Sequence, residues 1–324
     1  MSTFLEALTE RFAAQFKVDE PLAKHVNFRI GGPAKYFVEA RSTEDLVAVV
    51  KIAREFEVPY FILGGGSNTL VSDEGFSGLV IKAANRQVIF NGERVTAEAG
   101  VIAATLARSS ADKGLRGFEW AISLPGTIGG AVRGNAGCFG GEVKDNLESV
   151  KLLRQGEVVE VSAAEMRYGY RHSILKEPGH ETDVILEATF KLAPGDRVEA
   201  MAALDKNLAG RKASQPLGSA SAGCMFKNVE FADAEEISKL KSKVEIPENM
   251  LAMRRLGAGW LIDQLGLKGM KMGEAQIAPQ HGNFLLNVGH ASAKDIAALI
   301  SLVKTRARNE FGVQLHEEVQ YLGF

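Results

Sequence analysis

Apolar positions recur along this chain with two periods, and the changes of period mark its elements. Near the N-terminus Phe4, Leu5, Leu8 and Phe12 fall at helical spacing, with Glu6, Glu10 and Arg11 among them. Recurrence every three or four residues gathers apolar side chains on one face of an amphipathic helix. Leu46, Val49, Val50, Ala53 and Phe56 repeat the pattern over 43–57, and Ser42 with Asp45 supplies a start signal. "VPYFIL" then reads as a buried strand. A glycine loop and a second strand, "GLVIK", follow, so the chain opens in a β-α-β arrangement.

From about 84 to 104 the pattern shortens to strands and turns. Asn91-Gly92 sits between apolar alternations, as a hairpin turn does. A helix over 102–113 stops at Gly114. Residues 147–161 form a second hairpin turning at Gln155-Gly156, 183–192 a further strand, and 196–212 a helix. "KASQPLGSASAG" interrupts regular structure, and the last large domain starts near 205. Residues 257–289 read as helix, Gly-rich turn and two strands. Ile296, Leu299, Ile300, Val303, Ala307 and Phe311 line one face of a helix over 292–311, started by Ser292 and Asp295. "VQLHEEVQYLG" is a closing strand. Strands and helices mix without regular alternation, which points to an α+β fold rather than a doubly wound sheet.

A length of 324 residues corresponds to two or three domains. Apolar residues make up 46% and charged residues 24%, enough for a buried core. The net charge of -2 and pI near 6.4 leave no bulk basic footprint for nucleic acid, though a small basic pocket for an anionic ligand remains open. No apolar run reaches the length of a membrane span, and the charged N-terminal helix does not read as a signal peptide. Two cysteines without a CxxC pair, and six histidines without HExxH or HxH, give neither a disulfide framework nor a metal site. A reducing cytoplasm is the simplest setting.

Two glycine loops carry the candidate chemistry. In "LGGGSNTLVSD", Leu63 to Asp73, three consecutive glycines let the backbone approach a ligand, and their N–H groups can face phosphate oxygens. Ser67 and Asn68 add side-chain donors. The loop matches neither GxGxxG opening a helix nor GxxxxGK[ST], and a tight turn between strands stays open as the other reading. The second loop, "AISLPGTIGGAVRGNAGCFGGE", has seven glycines in 22 residues yet is apolar. That suits either a loop pressed on a flat ligand or one packed under a sheet. Together the loops point to a dinucleotide.

Seven stretches in one order then carry a resemblance. "NFRIGGPAKYFVEARS", the two glycine loops, "YGYRHSILK", "SAGCMFKN", "AGWLIDQLGLKG" and "HGNFLLNVGHAS" resemble the UDP-N-acetylenolpyruvoylglucosamine reductase family over about Asn27 to Leu322. The resemblance implies a FAD-binding domain of the vanillyl-alcohol-oxidase type, made of two subdomains, and a C-terminal α+β substrate-binding domain. It divides the chain into 1–82, 83–204 and 205–304, with 305–324 returning to the first subdomain. It implies noncovalent FAD, NADPH as reductant, a UDP-sugar as substrate, and a place in bacterial peptidoglycan precursor synthesis and cell-wall biogenesis. The oligomeric state stays open, a monomer among the options.

The reaction it implies adds hydride to a vinyl carbon and a proton to the neighbouring α-carbon, with charge building on the adjacent carboxylate. Arg171 matches the family's carboxylate-polarising arginine, Glu318 its catalytic glutamate, and Cys224 the position where the family generally has a serine proton donor. Read without the family, Arg171 is a surface or packing residue, Glu318 half of a solvated Glu-Glu pair, and Cys224 a small buried hydrophobe. A thiol titrates near ~8.5 and can donate at neutral pH. Alternation along the strand sends Glu317 to solvent. Cofactor contacts fall on Gly64, Gly65, Gly66, Ser67, Asn68, Leu70, Ser123, Pro125, Gly126, Gly129, Gly130, Asn135 and Gly137. Lys212 and Asn228 match substrate positions, and no metal ligand is expected. Cys138 reads as a loop-packing residue. Gln320 stands where the family commonly has Arg, and Val229 where it has Pro. Two other readings remain: a different FAD oxidase of the same fold, and a nucleotide-binding protein without turnover.

Overall fold

Two sheets organise the first part of the chain. Four strands lie in the order Phe16–Pro21, Pro33–Ala40, Phe76–Ala83, Tyr60–Leu63, and the last three run parallel. The helix Thr43–Glu55 crosses from the second of these strands to the fourth and buries Leu46, Val49, Val50 and Ala53. Ser42 accepts the Asp45 N–H at its start, as the sequence indicates. Five antiparallel strands form the other sheet, ordered Glu157–Ser162, Leu147–Arg154, Val184–Lys191, Arg94–Glu98, Val88–Asn91. The mixture is α+β.

The computed structural model describes residues 3–216, 218–231 and 233–324; Leu217, within the break before Cys224, lies outside them. These residues form two units. The first takes the N-terminal residues to Glu20, Ala34–Gly66 and Phe76–Ala213, and the second takes Pro21–Pro33, Ser67–Gly75 and Ser214–Phe324. In the first, Val38, Leu46, Leu79 and Ile81 form one apolar cluster and Val95, Phe118, Trp120, Val150 and Phe190 another. In the second, Phe28, Leu70, Phe226, Leu261, Ile296 and Leu299 pack together. No helix among the described residues is long and apolar enough to cross a membrane.

Several sequence expectations shift by a residue or a face. The helix Phe4–Phe12 buries Leu8 and Phe12 but leaves Leu5 45% exposed, so its apolar stripe is narrower than the spacing implied. "VPYFIL" is not a buried strand. Only Tyr60–Leu63 is extended, and as an edge strand it buries Leu63 alone. The first hairpin turns at Gly92-Glu93, because Asn91 pairs with Arg94 and Gly92 takes φ +59°. The second turns at Gln155-Gly156 as read, with both residues at positive φ. The helix Arg197–Ser214 runs unbroken past residue 205. Three short strands, Lys271–Met272, Ala275–Ile277 and Leu285–Asn287, follow the helix Ala258–Gln264 in place of two. The helix Ala293–Arg306, boxed by Ser292 and Asp295, ends in a π turn through Phe311. The closing strand shrinks to Gln320–Leu322, parallel to Thr69–Val71.

Phe190 is fully buried and meets Phe118 edge-to-face at 5.0 Å. Phe190→Ala is expected to lower the stability by about 3–5 kcal/mol, through lost transfer energy and the cavity left behind. Denaturant unfolding measures this, and a loss under about 1 kcal/mol would show the site collapses around the deletion.

Candidate active site

In the first unit the two glycine loops touch. A side chain on Gly64 would bring its Cβ to 2.4 Å from Thr127 Oγ1, and one on Gly65 would come to 3.2 Å from the Pro125 carbonyl. Gly129 lies as close to Ala99, at 3.0 Å. Contacts this short exclude any residue but glycine unless a neighbour moves. Gly66 adds a left-handed φ of +64°. Among the described residues no protein acceptor meets the backbone N–H groups of Gly65, Gly66 or Ser67. Consecutive N–H groups without a protein acceptor can take phosphate oxygens, so the loop fits a dinucleotide pyrophosphate. Gly126 and Gly137 flank the short helix Ile128–Gly134 of the second loop, and Gly130 lies within it.

That loop is held from beneath by Asn135. It is fully buried, caps the short helix at φ +43°, and spends its amide internally. Its Nδ2 donates to Glu142 Oε2 at 2.8 Å and the Gly169 carbonyl at 3.0 Å, and its Oδ1 accepts the Lys144 N–H at 3.1 Å. Asn135 thus shapes the loop. Arg171 docks on the same turn. Its guanidinium donates to the Asn135 and Gly137 carbonyls at 3.4 and 3.0 Å and lies 5.6 Å from the Tyr170 ring. Arg171 itself takes φ +52°, a strained conformation for a residue with a Cβ, and Lys176 Nζ grips its carbonyl at 2.8 Å.

A second arginine near this loop was not anticipated. Arg211 Nη1 reaches Ser123 Oγ at 3.4 Å, next to Cys138. Only its place beside Lys212, at the end of the helix, could have signalled it. Cys138 donates its thiol to the Trp120 carbonyl at 3.2 Å, and burial pushes its pKa up against the opposing pull of Arg211, Ser123 and Arg171. The thiol packs in the loop, where the sequence reading puts it. Lys212 is exposed on the same helix.

The second unit carries Cys224, Asn228 and Glu318. Both cysteines are free thiols. Cys224 is half-buried against Ala278, Phe284 and Leu286. Its segment runs antiparallel to the end of the chain: the Glu318 N–H donates to the Met225 carbonyl at 2.8 Å, the Lys227 N–H to the His316 carbonyl at 2.9 Å, and Phe226 pairs with Glu317. Asn68 holds the other side of Glu318. Its Nδ2 donates to the Glu318 carbonyl at 3.0 Å and its carbonyl accepts the Gln320 N–H at 2.9 Å. Leu70 is fully buried in the core, so its side chain packs rather than reaching outward. Asn228 Oδ1 accepts the Ala258 N–H at 3.1 Å, at the start of the helix Ala258–Gln264. Glu317 departs from expectation. Its carboxylate pairs with Lys304 Nζ at 2.8 Å, because the face opposite Glu318 looks onto the helix Ala293–Arg306 instead of water. Among the described residues no group of three His, Cys, Asp or Glu is placed to hold a metal.

Comparison with known proteins covers almost the whole chain. Residues 215–322 match the family described as the UDP-N-acetylenolpyruvoylglucosamine reductase C-terminal domain, and residues 34–162 match a FAD-binding domain. The chain is 39% identical to the UDP-N-acetylenolpyruvoylglucosamine reductase of Clostridioides difficile, over 95% of this chain and 93% of that one. It is 38% identical to the same-named protein of Carboxydothermus hydrogenoformans, over 98% and 97%. The crystal structure of the Thermus caldophilus reductase superposes with a TM-score of 0.73 at 32% identity, covering 95% of this chain and 98% of that one.

Gly64→Ala is expected to lower flavin content and stability, since its Cβ would press on Thr127 Oγ1. Adding Thr127→Ala removes that oxygen and should restore part of the loss. Flavin absorbance per mole of protein checks both variants, and a double variant no better than the single one would show that the loop fails for another reason.

Proposed function

The chain belongs to the UDP-N-acetylenolpyruvoylglucosamine reductase family and is a FAD-dependent oxidoreductase, and we propose that it makes UDP-N-acetylmuramate from the enolpyruvyl ether of UDP-N-acetylglucosamine, with NADPH as donor. This is a step of bacterial peptidoglycan precursor synthesis, and a cytoplasmic setting accords with two free thiols. The glycine loops would hold FAD, which when bound would supply two-electron hydride chemistry between NADPH and the vinyl carbon. The protein must then bind the anion, stabilise charge on the enolpyruvyl carboxylate, and deliver one proton to the α-carbon.

The reading gives these tasks to the residues that match the family's motifs. Arg171 offers a planar fork to the carboxylate, and its docking on main-chain carbonyls holds the fork without neutralising it. Glu318, protonated, hydrogen-bonds the developing enolate. Cys224 gives its proton to the α-carbon. Lys212 and Asn228 bind the UDP moiety, and the glycine loops with Ser123, Pro125 and Gly126 hold the flavin. The division at about 83 and 205 into two flavin subdomains and a substrate domain is part of this reading. So is the joining of 305–324 to the first of them.

One observation carries the assignment of the pair. Cys224 and Glu318 come from distant parts of the sequence, yet Met225 and Glu318 share a backbone hydrogen bond of 2.8 Å. A hydroxyl would do the same work as the thiol but does not titrate near neutrality. A thiol ceases to donate once it becomes thiolate, so activity through Cys224 is present at lower pH and lost as pH rises.

The purified protein should be yellow, absorb near ~450 nm, and release flavin to the supernatant on acid precipitation. It should oxidise NADPH only when the enolpyruvyl UDP-sugar is present; a colourless protein that refuses FAD ends this reading. Cys224→Ser should move the alkaline fall of kcat to higher pH and abolish inactivation by iodoacetamide. An unchanged alkaline limb would remove Cys224 from the donor role. Arg171→Ala should cost about 10²–10³-fold in kcat, as loss of a transition-state charge partner does, with flavin content kept.

A further inference from the structure

The segment Cys224–Lys227 belongs to no regular strand. Buried peptide groups still need partners, and leaving one unpaired is costly. On one side the partners are His316 and Glu318. On the other they come from Asn283, which is 2% exposed and sits two residues before the strand Leu285–Asn287. Asn283 Oδ1 accepts the Phe226 N–H at 2.9 Å, and its Nδ2 donates to the Phe226 carbonyl at 2.8 Å. Its own carbonyl accepts the Met225 N–H at 2.8 Å. A carboxamide carries the same donor and acceptor as a peptide bond, so here it stands in for a neighbouring strand.

Asn283 is in turn fixed. Its N–H donates to His281 Nδ1 at 3.2 Å, and burial lowers the imidazole pKa, which favours the neutral ring this bond requires. Met225 sends its N–H to Asn283 and its carbonyl to Glu318. In a regular strand both groups of one residue point the same way, so the chain kinks there. Cys224, just before the kink, bridges Phe284, the residue after Asn283, and takes its position from that pairing together with what grips Met225 and Phe226.

We infer that Asn283 is a positioning residue for protonation: by gripping Met225 and Phe226 it holds the Cys224 thiol and the Glu318 carboxyl in one register. This rests on the roles given above to those two residues. Asn283 needs no contact with substrate. Its effect is on the place from which the proton leaves, where an error of an ångström costs about 10²-fold.

Asn283→Asp keeps the shape and the acceptor but replaces the donor with an oxygen facing the Phe226 carbonyl. Anaerobic rapid mixing of the holoenzyme separates flavin reduction by NADPH from flavin reoxidation by the enolpyruvyl UDP-sugar. In the variant, reoxidation should slow about 10–100-fold while reduction stays within about threefold of wild type. Mass-spectrometric alkylation of Cys224 should quicken roughly fivefold or more as its segment loosens. Asn283→Ser, uncharged and able to make one of the two bonds at a time, should fall between and serves if the Asp variant does not fold. Wild-type reoxidation in both variants, or equal slowing of both half-reactions in step with lost flavin, overturns the inference. If wild-type reduced flavin itself fails to react with the sugar, the functional reading falls and takes this inference with it.

Discussion

A peptide group buried without a partner is expensive, and the second unit is arranged around one stretch that cannot supply its own. Cys224–Lys227 lies outside the regular strands and makes only isolated bridges, to Phe284 and Glu317. Asn283 and His316–Glu318 close its hydrogen bonds from two sides, and Asn68 secures the far edge of Glu318. Because these bonds run through main chain, a change in one partner is felt at the others. The register of Cys224 against Glu318 is therefore a property of the whole lattice rather than of either side chain.

A different constraint governs the glycine loops. There the limiting quantity is space. Gly64 lies where Thr127 Oγ1 leaves no room for a methyl group, and Gly65 lies against the Pro125 carbonyl. Among the described residues the N–H groups of Gly65, Gly66 and Ser67 meet no protein acceptor, which suits them to a pyrophosphate. Asn135 supports this from below with three amide hydrogen bonds, and the same turn seats Arg171 through its carbonyls. The positive φ of Arg171 is a local strain that the Lys176 bond to its carbonyl helps to sustain.

Charge and burial oppose one another at Cys138. Burial raises the Cys138 pKa although Arg211 and Arg171 pull the other way, in keeping with a packing residue. Glu317 and Glu318 are adjacent, yet one is committed to Lys304 and the other is held by its backbone between Met225 and Asn68. A pair of like residues thus acquires two fates from its surroundings.

What the chain determined by itself was local. Ser42 and Ser292 announce helix starts because a hydroxyl must meet an orphan N–H three residues on, and Gln155-Gly156 announces a turn because both residues must take positive φ. The glycine loops and the order of motifs were equally plain, and with them the fold class and the family. Only the tertiary structure decided the rest. Asn283 is a single amide in an unremarkable turn, and Arg211 one cation at a helix end; neither has a periodicity or spacing to betray it. Leu70 read as a cofactor contact and is core, and Glu317 read as solvated and is paired. Propensity and alternation act over a few residues, whereas these partners are brought from far along the chain by packing, and no local pattern encodes which carbonyl or cation will arrive.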